Sequence, residues 1–386
     1  MSPQRYQWPD DLDNVEDVER YHKGGFLPVH IGDVIEKIYR ILHKLGCGGF
    51  STVWLARSTI DEKLYALKIL AADAPQTELE TLLYLMNSQG THASVLSLHG
   101  HFKISGPYGS HCCLVLPVLG PSLKHLRRTE LPPPFVRHAS RHLGEGLSFI
   151  HKAGVCHGDL THNNVLFALH DVANWTDSEV YRYLGAPRKT QLLRMDGSPA
   201  AAPREVVGGI NFRGLDPKLL SGQACIVDFG LSFRSSNPPS EIPGIPRSFL
   251  APELCFGYLE SQASDVWSLG CVIFELHSSR ALFPLIFDQL DLLIGTIVDT
   301  LGNLPDQWEG QFVNQADRRL KPGQKDFWYD PSFTPGRALE KQIKDKCPQI
   351  SEEQRDVLLR LLRGVLSIDP VHRLSAADMV SHPYLQ

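Results

Sequence analysis

Two short segments carry the residue types that phosphoryl transfer requires. CHGDLTHNNVLF contains His157, Asp159 and Asn164 in the order H-x-D-x-x-x-x-N, and CIVDFGLSF contains Asp228 directly after an apolar run. Transfer of a phosphoryl group to a hydroxyl needs a carboxylate that orients the hydroxyl and accepts its proton, and it needs oxygen ligands for Mg²⁺. We therefore assign Asp159 as the catalytic carboxylate, and Asn164 and Asp228 as the metal ligands.

A glycine-rich segment near the N-terminus is suited to hold phosphates. LGCGGFSTVWLA places Gly46 and Gly48 in the turn between two strand-like runs, where missing Cβ atoms let backbone N–H groups approach phosphate oxygens. Ser51 replaces the third glycine of the G-x-G-x-x-G pattern. A glycine-rich hairpin needs no ligand to explain it, so this segment gains weight only from the motifs that follow it.

Lys68 lies in the apolar run YALKIL. A lysine with apolar residues on both sides needs a buried anion, because burying an unpaired ammonium group is costly. The α- and β-phosphates of ATP and a helical glutamate would supply that anion, and Glu78 has the required spacing. Glu80 is the alternative, and a solvated helix face remains the competing interpretation of either glutamate.

These motifs define the predicted site and its cofactors, ATP and Mg²⁺. The predicted catalytic residues are Asp159, Lys68, Glu78, Asn164 and Asp228. The predicted cofactor-binding residues are those of the glycine-rich turn, the lysine, and apolar positions on the surrounding strands, namely Leu45, Gly46, Cys47, Gly48, Val53, Ala66, Lys68, Leu116 and Val118.

Short β-branched or aromatic runs between turn residues predict an antiparallel meander. The runs are YRILHKLG, STVWLAR and KLYALKIL. A helix over 77–86 comes next, and two further strand-like runs follow it, VLSLHGHFKI and HCCLVLPVL. After Gly120 the apolar spacing becomes helical, with a long helix ending at Gly154 and a capping box of Ser351 and Gln354 before VLLRLLRGVL. The predicted fold class is therefore α+β.

The chain divides into an acidic, aperiodic leader (1–38), a β-rich lobe (39–119) and a mainly α-helical lobe (120–386), with a hinge near Pro117. A stretch rich in Pro, Gly, Ala and Arg at about 168–223 separates two segments that both look catalytic. We interpret it as an insert of the helical lobe, with one helix at WTDSEVYRYLG.

Bulk properties exclude several classes of protein. The 386 residues are 42% hydrophobic and 21% charged, with a formal net charge of −5, which is typical of a folded globular chain with no overall attraction to nucleic acid. No secretion signal or membrane-length apolar stretch is present, so we expect a cytoplasmic enzyme, with nuclear entry left open. The eight cysteines lie mostly in apolar runs without CxxC spacing, which favours buried free thiols.

The H-G-D form of the first motif also occurs in small-molecule phosphotransferases of the aminoglycoside and choline kinase type, so it does not decide the class. FLAPEL, SDVWSLGCVIFEL and DPVHRLSAADMVSHPYL favour a protein kinase, because small-molecule kinases lack this block. In protein kinases Glu253 would pair with Arg373 beneath the peptide platform, and Asp265 would hold the backbone of the catalytic loop.

From Tyr21 onward the chain resembles the SR-protein kinases, in YHKGGFLPVHIGD, LGCGGFSTVWLAR, LVLPVLGPSL and the H-x-D segment. The short leader and the modest insert are similar to the smaller fungal members. The resemblance implies a bilobal protein kinase fold with a β-rich N-lobe and a mainly α-helical C-lobe, ATP and Mg²⁺ as cofactors, and transfer to serine or threonine hydroxyls in arginine-serine-rich proteins. It implies neither direct nucleic-acid binding nor a membrane partner.

Two positions depart from the serine/threonine kinase pattern. Thr161 stands where these kinases carry a catalytic-loop lysine, and Pro246 stands where they carry a threonine of the peptide-binding loop. Three interpretations stay open: an active serine/threonine kinase with a compensated site, a nucleotide-binding pseudokinase that acts as a scaffold, and another phosphotransferase. We expect the first, since the residues for phosphate and metal are otherwise complete.

Gly158 stands directly before Asp159, where kinases that are switched by phosphorylation of the activation segment carry an arginine. Glycine supplies no charge for a phosphate, so we predict that activity needs no phosphorylation of residues 228–253. Asp288 and Asp291 are candidates for a basic-peptide docking surface, and a solvated helix face explains them equally well.

Overall fold

A β-rich unit and a mainly helical unit make up the computed structural model, which describes residues 4–126, 131–200, 202–241, 244–287, 289–308 and 336–386. The first unit contains Met1–Met86, Leu96–Pro121 and Ala168–Ser221. The second contains Asn87–Val95, Ser122–Phe167 and Gly222–Gln386.

The strands and α-helices of the described residues follow the sequence pattern closely. The strands are β1 (Val34–Ile35), β2 (Tyr39–Cys47), β3 (Ser51–Ser58), β4 (Leu64–Leu70), β5 (Gly100–Gly106), β6 (Gly109–Leu116), β7 (Val155–Cys156), β8 (Val165–Leu169), β9 (Lys189–Gln191), β10 (Glu205–Val207), β11 (Leu220–Ile226) and β12 (Phe233–Arg234). The helices are α1 (Thr77–Gln89), α2 (Leu123–Leu126), α3 (Pro133–Lys152), α4 (Asp177–Leu184), α5 (Gln262–Ser278), α6 (Leu290–Leu301), α7 (Leu339–Lys346), α8 (Glu352–Val365) and α9 (Ala376–Val380).

The first unit is built on a six-stranded antiparallel sheet in the order β1-β2-β3-β4-β6-β5. The predicted meander is present as β2, β3 and β4, whereas β6 pairs with β4 and leaves β5 at the edge of the sheet. One predicted strand begins later than expected. The run expected to form a strand from Val95 forms one only from Gly100, because Val95 makes an isolated bridge with Ile226 instead. Helix α1 continues to Gln89, three residues beyond the predicted end.

The leader and the insert cover one face of this sheet. Leu27 and Val29 from the leader and Val207 from the insert pack in one cluster with residues that alternate along the strands, namely Ile41, Trp54, Ala56, Leu67, Ile69, Cys113 and Val115. A second cluster joins leader residues Tyr6, Leu12, Val18, Tyr21 and Phe26 with Ala71 and with insert residues Leu192, Ala200 and Val206. Alternate strand residues point to the same face, so these clusters remove from water an apolar face that the sheet alone would expose.

The insert stands between two motifs of the helical lobe in the sequence, whereas the structure groups Ala168–Ser221 with the first unit. Charge pairing is one physical reason. The Asp177 carboxylate at the start of α4 accepts from Arg40 Nη2 on β2 and from Arg57 Nε on β3, both at 2.7 Å. The predicted helix of the insert is present and begins with a capping box of Thr176 and Glu179.

Helices dominate the second unit. Helix α3 buries an apolar stripe that includes Val136, Leu143, Leu147 and Ile150, as its spacing predicts. From Ser264 to its end every residue of α5 is buried, which is typical of a central core helix. Ser351 and Gln354 form the predicted capping box of α8. Seven of the eight cysteines are buried free thiols, Cys47 is half-buried, and none of the described helices is long and apolar enough to cross a membrane.

A buried bidentate ion pair links two distant segments of the second unit. Arg373 Nη1 and Nη2 each donate to one carboxylate oxygen of Glu253 at 2.8 Å, and the guanidinium lies over the Trp267 ring, 5.1 Å from its centroid. Ser264 Oγ also donates to Glu253 at 3.1 Å. Both charged side chains are almost fully excluded from solvent, so each is stable there only while its partner is present.

We expect Glu253→Ala to lower the free energy of unfolding by about 3 to 5 kcal/mol, because it leaves the Arg373 guanidinium buried without its counter-ion. Glu340→Ala is the matched control: it removes the carboxylate of the exposed Arg363–Glu340 pair and should cost no more than about 1 kcal/mol. Urea unfolding of both variants measures the difference. Equal losses would show that burial does not decide the contribution of the Glu253–Arg373 pair.

Candidate active site

The glycine-rich turn joins β2 to β3 and leaves its glycines open to the outside. Gly46 lies opposite Val53 and Cys47 opposite Thr52, and the Gly48 N–H donates to the Ser51 carbonyl at 2.9 Å. A Cβ atom on Gly48 would meet no heavy atom within 4 Å. This turn therefore presents uncovered backbone with space for a ligand, as a phosphate cradle requires.

Lys68 and Glu78 form the predicted ion pair within the first unit. Lys68 Nζ lies 2.6 Å from Glu78 Oε2, and the two side chains are only 12% and 3% exposed. Glu78 is in the first turn of α1, where the helix dipole favours a negative charge. Glu80, the alternative partner, is exposed. The structure thus pairs the lysine with the first of the two candidate glutamates.

The register of the sheet brings the apolar cofactor-binding candidates to the side of Lys68. Val53 lies opposite Lys68 on the neighbouring strand, and Ala66 lies opposite Leu116. Directly opposite residues share a face, as do residues two apart along a strand, so all four positions line one surface of the sheet. Of the other candidates, Leu45 is half-buried and Val118 is buried after the end of β6.

The catalytic-loop candidates meet within the second unit, between β7 and β8. Asn164 Nδ2 donates to Asp159 Oδ2 at 2.7 Å and to the Asp159 carbonyl at 2.8 Å. The Val227 N–H donates to the Asn164 carbonyl at 3.0 Å, which places Asp228 next to the loop. Asp228 has a left-handed φ of 67°, an uncommon conformation for a residue other than glycine. The two predicted metal ligands are therefore held beside each other.

His157 joins the catalytic loop to the strand before Asp228. The Asp159 N–H donates to His157 Nδ1 at 3.2 Å, so Nδ1 is unprotonated and Nε2–H donates to the Val227 carbonyl at 3.0 Å. Complete burial lowers the pKa of His157 below its ordinary value. A neutral imidazole in a fixed tautomer thus connects the two motifs, and its role is structural.

The Asp265 carboxylate holds the other side of the loop. Oδ2 accepts from the His157 N–H at 2.7 Å, Oδ1 accepts from the Gly158 N–H at 3.0 Å, and His151 Nε2 lies 2.9 Å from Oδ2. Burial alone would raise the pKa of Asp265, and the His151 contact, nearby imidazoles and the Gly158 N–H hold it below the ordinary value. The predicted contact between Asp265 and the catalytic loop is present.

Comparison with known proteins decides the family. The protein kinase domain family matches residues 39–211 and 218–385. The chain belongs to this family. A crystal structure of a kinase domain superposes with a TM-score of 0.62 at 19% identity, covering 93% of this chain and 98% of the other, which confirms the predicted α+β kinase fold.

The relatives of this kinase include serine/threonine-protein kinase SRPK of Physarum polycephalum, 29% identical over 97% of this chain and 92% of the relative. Serine/threonine-protein kinase AFC1 of Arabidopsis thaliana is 26% identical over 94% of this chain and 74% of the relative. SRSF protein kinase 3 of Homo sapiens is 32% identical over 51% of this chain and 37% of the relative. The resemblance to SR-protein kinases and the prediction of a serine/threonine kinase are confirmed, and nothing in these names supports a pseudokinase.

Asp159 of the kinase has a strongly shifted titration. Partial burial raises the pKa of its carboxyl to about 7, and the neighbouring Asp228 carboxylate acts in the same direction against the hydrogen bond from Asn164. A carboxylate that must accept a hydroxyl proton works best with a pKa near the operating pH. Burial therefore increases the basicity of the Asp159 carboxylate, which the Asn164 hydrogen bond orients.

Three side chains that the sequence did not single out belong to this region. Glu260 is 7% exposed, and burial together with the Asp265, Asp159 and Glu253 carboxylates raises its pKa to about 8. His151 contacts Asp265, and His162 Nδ1 lies 3.1 Å from Glu275 Oε1. No motif spacing marks these residues. The one sequence signal was the position of Glu260, which follows two apolar residues and precedes Ser261, the N-cap of α5.

The departures from the family pattern lie in different environments. Thr161 is buried in the catalytic loop, and its hydroxyl accepts from the Asn163 N–H at 3.4 Å. Pro246 is exposed and precedes the 3-10 helix of Arg247–Phe249. Of the two docking candidates, Asp291 is exposed in the first turn of α6, and Asp288 lies outside the described residues.

We expect kcat/KM to rise with pH through an apparent pKa of about 7 and then to level off, because Asp159 accepts a proton only when ionised and its pKa is raised. Steady-state rates with an arginine-serine peptide and Mg·ATP between pH 5.5 and about 8.5 measure this profile. Glu260→Gln is the control, because it removes the other carboxyl group whose pKa is raised. The rise of kcat/KM with pH should persist in this variant. A wild-type kcat/KM that does not change with pH would contradict the assignment of Asp159 as the proton acceptor. Loss of the rise with pH in Glu260→Gln would show that Glu260 is the titrating group.

Proposed function

We propose that this kinase transfers the γ-phosphoryl group of Mg·ATP to serine hydroxyls in arginine-serine-rich proteins. The observation that carries the proposal is the hydrogen bond from Asn164 Nδ2 to Asp159 Oδ2, which orients the Asp159 carboxylate beside the metal-ligand candidates. The oxygens of Asn164 and Asp228 fit the preference of Mg²⁺ for oxygen ligands.

Each side chain of the site has one task in this proposal. Lys68, held by Glu78, neutralises phosphate oxygens, and the uncovered glycine-rich turn at Gly48 and Gly49 lets backbone N–H groups of the turn approach them. Asn164 and Asp228 would hold Mg²⁺. Mg·ATP, when bound, supplies the transferable phosphoryl group and the cation that neutralises its charge. Asp159 orients the serine hydroxyl and accepts its proton.

Two arguments support the proposed preference for arginine next to the serine: electrostatics and sequence similarity to named relatives. Burial raises the pKa values of Asp159 and Glu260, and the carboxylates near them, Asp228 for the first and Asp265 for the second, add to the shifts. Such a cluster creates a negative potential, and a negative potential attracts guanidinium groups. Relatives of this chain are named SRPK and SRSF protein kinase 3, which makes arginine-serine-rich proteins the substrate class to test first.

We expect wild-type protein to bind a fluorescent ATP analogue in the presence of Mg²⁺ and to phosphorylate an arginine-serine peptide. Asp159→Asn should keep nucleotide binding and lose at least about a hundredfold in kcat, because it cannot accept the proton. Lys68→Ala should weaken nucleotide binding, whereas Lys103→Ala, an exposed lysine of β5, should behave as wild type.

The same experiment separates the parts of the proposal. Folded wild type that binds no nucleotide with Mg²⁺ would overturn it. Binding without turnover on arginine-serine or other serine peptides would favour the scaffold interpretation. Equal turnover of a peptide in which every arginine is replaced by alanine would overturn the substrate class and leave the kinase activity in place.

Activity should not need phosphorylation of the activation segment. Gly158 has a φ of 76°, and a Cβ atom there would lie 2.5 Å from the Leu231 carbonyl oxygen, so an arginine that could receive a phosphate does not fit at this position. The first part of the segment is paired without such an arginine, because Phe233 pairs with Cys156 and the Ser235 N–H donates to the Gly154 carbonyl at 2.9 Å.

We therefore expect protein made in bacteria, shown by mass spectrometry to be unphosphorylated, to be as active as phosphorylated protein. Replacing Ser235, Ser236 and Ser240 together by alanine should change kcat/KM by less than about twofold. This corresponds to a change of less than about 0.4 kcal/mol in the activation free energy. A tenfold or greater rise on phosphorylation would show that Arg234 or Arg247 receives the phosphate instead.

A further inference from the structure

One arginine of the leader contacts the tip of the glycine-rich turn. Arg20 Nη1 donates to the Gly49 carbonyl at 2.6 Å, and Nη2 donates to Asp73 Oδ1 at 2.6 Å. The guanidinium lies over the rings of Phe26 and Phe50, 5.1 Å and 5.5 Å from their centroids. Arg20 thus connects the turn between β2 and β3 to the segment that follows β4.

The Gly-Gly pair of YHKGGF places this arginine. The N–H groups of His22 and Phe26 both donate to the Arg20 carbonyl, at 2.9 Å and 3.0 Å. A Cβ atom on Gly25 would lie 1.7 Å from that carbonyl oxygen, so no other residue fits in this turn. Gly24 has a φ of 90°, which also favours glycine. The motif that carried the family resemblance therefore has a local geometric task.

The leader turn is also fixed to the sheet. The Ala72 N–H donates to the Gly25 carbonyl at 3.0 Å, and the Asp73 N–H donates to the Gly24 carbonyl at 2.8 Å. The preceding Ala71 N–H donates to the Phe50 carbonyl at 2.8 Å. Leader, glycine-rich turn and residues 71–73 are therefore connected by backbone hydrogen bonds as well as by Arg20.

A second set of contacts holds the base of the turn. Lys44 of β2 is fully buried, pairs with Glu16 of the leader and donates to the Val207 carbonyl of the insert at 3.1 Å. Burial lowers the pKa of Lys44 to about 8. Next to the turn, Cys47 Sγ lies 3.6 Å from the carbonyl oxygen of Asn14, which also accepts from an insert N–H. Both the base and the tip of the turn are thus held by the leader.

We propose that Arg20 is a positioning residue for ATP binding: it fixes the Gly49 carbonyl and so keeps the N–H groups of the glycine-rich turn in one arrangement before ATP arrives. This inference rests on the proposed function, because it assigns phosphate binding to that turn. A binding loop that is already ordered loses less conformational entropy when the ligand binds. Because Arg20 orders the turn before ATP binds, its loss should affect ATP affinity rather than the chemical step. A hydrogen bond from a charged donor changes an equilibrium constant by about tenfold or more, which sets the expected size of the effect.

Two readouts test the inference on the full chain. The first is the rate at which iodoacetamide alkylates Cys47 without nucleotide, followed by peptide mass spectrometry, since the other seven cysteines are buried. The second is the pair of constants KM for ATP and kcat. Arg20→Ala and Gly25→Ala should raise the Cys47 rate several-fold and KM by about tenfold, with kcat within about twofold. Arg20→Lys, which can keep one of the two contacts, should give intermediate values.

Two matched controls should behave as wild type in both readouts. Lys23→Ala removes another cation of the leader, whose side chain is exposed. Gly214→Ala adds a methyl group where a Cβ atom meets nothing within 4 Å. Circular dichroism spectra show whether each variant is folded, and Arg20→Lys remains informative if Gly25→Ala is not.

The possible results lead to different conclusions. An unchanged Cys47 rate in folded Arg20→Ala overturns the inference, because Arg20 then does not hold the turn. A faster Cys47 rate with unchanged KM overturns its role in ATP binding. Wild type that binds no ATP would overturn the proposed function and that role together, whereas the alkylation rates would still decide whether Arg20 holds the turn.

Discussion

The buried carboxylate of Asp265 is the point on which the geometry of the catalytic half depends. It receives the backbone N–H groups of His157 and Gly158 and a contact from His151, so the loop cannot shift without leaving a buried charge uncompensated. The His157 ring in turn binds the Val227 carbonyl, and the Val227 N–H binds the Asn164 carbonyl. Asp228 directly follows Val227, so both predicted metal ligands are connected to Asp265 through these bonds. One buried charge on a core helix thus holds the backbone segments that carry the predicted metal ligands.

The first unit obeys a different constraint, which is hydrophobic. Its sheet has apolar side chains on a face that a simple meander would leave in water, and the leader and the insert remove that face from solvent. The polar contacts of this layer are few and specific: Asp177 with two arginines, Glu16 with Lys44, and Arg20 with Gly49 and Asp73. Apolar burial supplies the general attachment, and these pairs fix its position.

Much of the site was predictable because phosphoryl transfer requires few residue types at fixed spacings. The pairs Lys68–Glu78 and Glu253–Arg373 and the contacts of Asp265 follow from motif positions, and all are present. Glu260 and His162 were missed because their importance depends on which carboxylates surround them after folding, and no local spacing encodes that. The leader was interpreted as aperiodic, and much of it is a 3-10 turn followed by a Gly-Gly bend, which has neither helical nor strand periodicity. Its packing depends on side chains from the insert, which are distant in sequence.

The joint cluster of leader, sheet and insert has a consequence for how the chain is made. Leu27 and Val207 pack together although 180 positions separate them, so the sheet face that they share stays uncovered until the insert has left the ribosome. Val115, the last strand residue of that face, is made 92 positions before Val207, and at about 5 to 20 residues per second this interval lasts roughly 5 to 18 s. During it Trp54, Leu67 and Val115 form an exposed apolar surface on a nascent sheet, which is the kind of surface that chaperones bind. The placement of the insert late in the sequence therefore sets the time for which this apolar surface is accessible to chaperones.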